Sequence, residues 1–115
     1  MSAIQESANA LQQALRESEE YQGLKSAYEA VMNDEIAKKM FDNFRNVQIE
    51  LQQKQMQGLE ITEEEVDQAR KVVETVQQHE QISALMAEEQ RVNDLINEVS
   101  RTITKPLEEL YSEQA

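Results

Sequence analysis

Cysteine and tryptophan are absent from this 115-residue chain, proline occurs once, glycine twice, and the aromatics are two phenylalanines and three tyrosines. Without cysteine there is no disulfide, no thiolate nucleophile, no Cys-type zinc site and no iron–sulfur ligation by this chain. A sheet of several strands needs clustered turn residues, and two glycines with one proline are too few. Positive charge is also scarce: 11 Lys and Arg face 23 Asp and Glu, a formal net charge of −12. Affinity for phosphate backbones and anionic membranes rests on the opposite balance, so both partners are disfavoured. No run approaches the ~18 apolar residues of a membrane span. The N-terminal "MSAIQESANA" lacks the basic and apolar regions of a signal peptide. The expectation is a soluble, cytoplasmic protein.

Gln, Glu, Ala, Leu and Lys dominate what remains, the composition of long helices. The chain therefore reads as all-α, one domain over 1–115, with long antiparallel helices forming a bundle. Few aromatics make a thin core, so the bundle is expected to be completed by dimerisation. Apolar spacing and capping signals predict helices over residues 3–17, 19–31, 35–57, 63–78 and 82–105, with a short one over 106–112.

The first helix carries Ile4, Ala8, Leu11 and Leu15 at helical spacing. Ser18 reads as the N-cap of the second, which Gly23 weakens or kinks. Asn33 or Asp34 caps the third, whose stripe is Ile36, Met40, Phe41, Phe44, Val47 and Leu51. Gly58 stands where a left-handed residue would close it. Thr62 and Glu65 have the spacing of a capping box, which explains the acidic run "TEEE" without any ligand. The pattern fades across Gln77–Gln81, as either a break or a bend, and a break is the preferred reading. Ile82, Leu85, Glu89, Val92, Ile96, Val99 and Ile103 then alternate steps of three and four, a heptad-like seam. Pro106 is expected to end that helix and begin the terminal one.

Glu89 is the charged member of this seam. Either the seam is wet there and Glu89 points outward, or a buried Glu89 pairs with Arg91, Arg101 or a base on another helix. The remaining chemistry is a series of absences. His79 is the only histidine, and neither a paired-histidine zinc motif nor a Glu-x-x-His di-iron motif is present. Glu63, Glu64, Glu65 and Asp67 diverge around one helical turn and do not make a cation cage. No nucleophile–base pair is visible. The chain is read as non-enzymatic, with no catalytic residue, no cofactor and no metal. Met40, Phe41, Phe44, Val47, Leu51, Ile82, Leu85, Glu89, Val92, Ile96, Val99 and Ile103 are the candidates for core or interaction surface.

Three segments in order carry a resemblance: "DEIAKKMFDNFRNVQIELQQKQMQGLEITEEEV", "QQHEQISALMAEEQRVNDLI" and "KPLEELY". Together they resemble the YheA-like branch of the YlbF/YmcA family of small bacterial proteins, and the stretch from Met40 to Thr62 is the most specific part. The resemblance implies an all-helical protein that associates as a dimer through its long helices. It also implies a non-enzymatic partner role, since better-studied relatives are linked to competence, biofilm formation and sporulation through an assembly connected with RNA processing. Cysteine-bound iron–sulfur clusters of that assembly do not carry over to a chain without cysteine. The leading expectation is a dimeric adaptor or regulatory protein with an unknown protein partner. A chaperone-like holdase for unfolded or basic clients comes second. Direct RNA contact through the basic side of residues 35–57 comes last.

Overall fold

The computed structural model describes residues 2–112, and among them every regular element is an α-helix. These are α1 (Ala3–Glu17), α2 (Glu19–Met32), α3 (Glu35–Met56), α4 (Glu63–Gln78) and α5 (Glu80–Ser112).

Side chains near the breaks set the boundaries. Ser18 does two jobs: its N–H and hydroxyl both donate to the Leu15 carbonyl, closing α1, and its Oγ accepts the Tyr21 N–H, opening α2. The Asp34 carboxylate accepts the Ile36 and Ala37 N–H groups at 3.0 and 3.1 Å, starting α3. That helix closes with two bonds around Gly58: Gly58 N–H to Gln55 O, and Leu59 N–H to Lys54 O. This is a Schellman closure, and Gly58 holds the left-handed conformation it requires, φ +72°. Thr62 and Glu65 form the reciprocal capping box of α4. The Lys54 ammonium also bonds to Glu65, bracing the end of α3 against the start of α4.

Two boundaries depart from the sequence reading. The gap within 77–81 narrows to one residue, His79, in extended conformation between α4 and α5. Pro106 does not end a helix but lies inside α5, so the segments expected at 82–105 and 106–112 are one element. Proline forfeits one backbone bond, to the Thr102 carbonyl, and crowds that turn. Leu107, Glu108, Glu109 and Leu110 favour helix on its far side. One turn upstream, the Thr102 and Thr104 hydroxyls donate to the Glu98 and Ser100 carbonyls, the kind of side-chain bond that lets a helix bend without breaking.

The helices group into two compact units, residues 25–86 and residues 2–24 with 87–112. The first holds the whole fully buried core of the described residues: Val31 from α2, Ala37, Phe41 and Phe44 from α3, Val76 from α4, and Ile82 and Leu85 from α5. Helices α3 and α4 form its hairpin. Each buried aliphatic side chain contributes about 1.5–3 kcal/mol gross. Met40, Val47 and Leu51 are half-buried at the edge of this core, whereas Ile36, expected in the same stripe, is 70% exposed.

The second unit contains α1, the start of α2 and most of α5. Gly23 lets α2 lie close to α5 there: a Cβ on it would come within 2.6 Å of a Glu88 carboxylate oxygen. Glu88 in turn pairs with Arg91 at 3.1 Å. None of the described side chains in this unit is fully buried.

Candidate interaction surface

Helix α1 presents Ala3, Ile4, Ala8, Leu11, Ala14 and Leu15 on one side, because spacings of three and four return to the same face. α5 presents Leu95, Ile96, Val99, Ile103 and Pro106. The two faces run antiparallel along one open groove: Ile4 lies near Ile103 and Pro106, and Leu15 near Leu95 and Ile96. Its wider end is an open trough of about 890 Å³. Among the described residues none covers the groove. Ile4 is 78% exposed and Ile103 69%, while Leu11 and Ile96 are more than two-fifths exposed. The charged side chains lining it, Glu20 and Glu98, are both acidic.

The structure separates the twelve candidates into three groups. Phe41, Phe44, Ile82 and Leu85 are buried core, with Met40, Val47 and Leu51 half-buried beside them. Val92 and Val99 are half-buried on α5, and Ile96 and Ile103 are exposed. Glu89 is exposed, so the buried-carboxylate reading of the seam falls and the outward-facing one holds. A two-helix layer cannot cover both sides of an apolar seam, which is why the same heptad pattern is core at Ile82 and surface at Ile103.

The candidate set missed Ile4 and Leu11 in the groove's lining. Ile4 and Leu11 had the right spacing but sat on a helix not assigned to the seam. Beyond the groove's lining, Leu107 and Leu110 continue the rhythm of 96, 99 and 103, which the presumed break at Pro106 concealed. Both are more than half exposed.

Elsewhere the chemistry is sparse. Among the described residues no group of three or more His, Cys, Asp or Glu is placed to hold a metal. Nor is any described helix long and apolar enough to cross a membrane. Arg45 lies 5.7 Å from the centroid of the Phe41 ring, but that ring is buried and offers no stacking platform to a base. His79 is half-buried at the α4–α5 joint with its Nδ1 lacking a hydrogen-bond partner, and Gln81 Oε1 is in the same condition.

The described residues thus make an all-helical protein with one buried hairpin core and an apolar groove that they leave open. The family model described as control of competence regulator ComK, YlbF/YmcA, matches residues 4–108, and the chain belongs to that family. It is 61% identical to the UPF0342 protein YheA of Bacillus subtilis over 101 residues, covering 88% of this chain and 86% of YheA. A DUF964 protein from Bacillus stearothermophilus superposes with a TM-score of 0.90 at 44% identity, over 96% of both chains. The fold extends to a chain of the crystal structure of Bacillus subtilis RicA in complex with RicF: TM-score 0.63, 18% identity, over 96% of this chain and 99% of that one.

Proposed function

We propose that this protein is a non-enzymatic, cytoplasmic protein–protein interaction module, a dimeric adaptor or regulatory subunit. The observation that carries the reading is the apolar groove of α1 and α5, left open along its length by the chain's own residues. Contiguous exposed apolar surface on a small acidic protein is a binding surface or an aggregation liability. A net charge of −12 supplies solubility without covering it. Membership in a family described by control of a competence regulator supports a regulatory role. The RicA–RicF structure, one chain of which shares the fold, is a complex of two proteins.

The test is affinity capture of the tagged protein from its own cells at native expression, with and without ribonuclease, read by mass spectrometry. A stoichiometric, ribonuclease-resistant protein partner is the expected result. Loss of every partner on ribonuclease treatment would move the function to RNA and sink the adaptor reading. One feature favours a second reading, a holdase: the charged groups lining the groove are carboxylates, which suits basic, unfolded clients. It requires suppression of client aggregation at stoichiometric amounts.

A further inference from the structure

Independently of what fills the groove, we infer that the connection between α3 and α4 is a second docking surface. Its occupant is a short basic segment of another protein with aliphatic anchors, seated on Met56 and Leu59 and held by the neighbouring carboxylates. Three observations carry this.

The first is how firmly the connection is built. Residues 57–62 join the two helices, and each end has its own closure: the Schellman bonds around Gly58 and the Thr62–Glu65 box. The Lys54 ammonium then ties one end to the other through Glu65. α3 and α4 already pack as a hairpin, so holding them together does not require a connection fixed at three points. A surface fixed in advance loses little conformational freedom when a partner seats on it.

The second is what the connection exposes. Met56 is 81% exposed, more than any other large apolar side chain described, and Leu59 is 55% exposed. Neither side chain is required by the closure, whose bonds are made by backbone groups. In a Schellman motif the residue after the glycine commonly packs on an apolar side chain in the last turn. Here Leu59 bonds back to Lys54, whose ammonium goes to Glu65. A polar residue at 59 would close the helix as well. Met56 and Leu59 are three residues apart in sequence, at most about 11 Å, so a turn or two of helix can cover both. Two such side chains fall far short of the about 800 Å² that each partner gives in a standard interface. A short segment fits them, and a whole folded domain does not.

The third is charge. Residues 55–69 contain five acidic side chains and no basic one. Lys54 neutralises Glu65, while Glu60, Glu63, Glu64 and Asp67 are exposed and form no ion pair among the described residues. Glu63 and Glu64 stand in the first turn of α4, where the helix dipole favours them. Glu60 precedes the cap and Asp67 follows that turn, so the dipole accounts for neither. Uncompensated carboxylates beside exposed apolar groups attract lysine and arginine. They repel phosphate backbones, anionic lipid and the same connection of a second copy.

The experiment titrates the isotopically labelled full chain with a synthetic amphipathic helix, one face leucine and the other lysine, and follows backbone amides by NMR at low and high salt. Two comparison peptides carry glutamate in place of the lysines or glutamine in place of the leucines. The leucine–lysine helix is expected to shift amides of residues 56–67, to bind more weakly as salt rises, and to bind more tightly than either comparison peptide. Met56→Gln with Leu59→Gln alters only exposed side chains, so the thermal midpoint should hold while binding weakens about tenfold. Glu60→Gln with Asp67→Asn should weaken binding and flatten its salt dependence. No shift in residues 56–67 at low salt, or shifts confined to α1 and α5, would overturn the assignment. Equal binding of the glutamate peptide would overturn the basic occupant, and equal binding of the glutamine peptide the apolar anchors. Shifts of residues 56–67 when the protein alone is diluted would give the surface to a second copy instead. None of these outcomes bears on the groove, whose role is decided by the capture experiment.

Discussion

Glu65, at the start of α4, bonds to both Lys54 and Thr62. The Lys54 ammonium, foremost, and the Thr62 backbone and hydroxyl donors hold its carboxyl below the usual carboxylate range, and partial burial offsets them only in part. A lowered folded pKa means that the stabilisation is present above the unfolded value of about 4.3 and is lost as pH falls through the folded one. Glu65→Gln should therefore lower the thermal midpoint at neutral pH and match wild type in strong acid. A pH-independent difference would mean that the charge is irrelevant. Gly58→Ala should destabilise by about 1–2 kcal/mol, from the left-handed backbone alone, since nothing lies within 4 Å of where its Cβ would stand. Phe44→Ala, in the core, should lose about 3–5 kcal/mol in chemical denaturation. Ile96→Ala, 41% exposed, should lose much less than Phe44→Ala in the same assay.

At the scale of elements, most of the fold was legible because its boundaries are written in side chains. Asp34, Gly58 and the Thr62–Glu65 box each act through a local bond that residue type and spacing predict. Ser18 was found for the same reason. Pro106 was misread because a proline signal says what one residue forfeits and nothing about its neighbours, and here the helix formers from Leu107 to Leu110 carry the helix through. Pro106→Ala should accordingly raise the thermal midpoint, worth up to about 3 kcal/mol, without altering the seam. A fall in stability would show that the ring's place in the groove outweighs the backbone bond it lacks.

At the scale of the molecule, periodicity could not separate core from surface. Ile82 and Ile103 occupy equivalent places in one seam, yet one is fully buried and the other 69% exposed. What distinguishes them is which helices stand opposite, a tertiary fact absent from spacing. The reading of Glu89 stayed open for the same reason, and the share of α1 in the site went unnoticed because the partner of its stripe lies some ninety residues away. The resemblance identified the family correctly because it joins distant segments, which no local rule does.

The confinement of the buried core to residues 25–86 bears on how the protein is made. That stretch is continuous in sequence, so all the residues that bury one another there have left the ribosome before the end of α5. Helix α1 emerges first but faces Ile103 and Pro106, about a hundred residues later. At translation rates of roughly 5–20 residues per second, its apolar side waits about 5–20 seconds for α5. During that interval every nascent chain exposes the stripe from Ile4 to Leu15 to whatever binds hydrophobic helices near the ribosome.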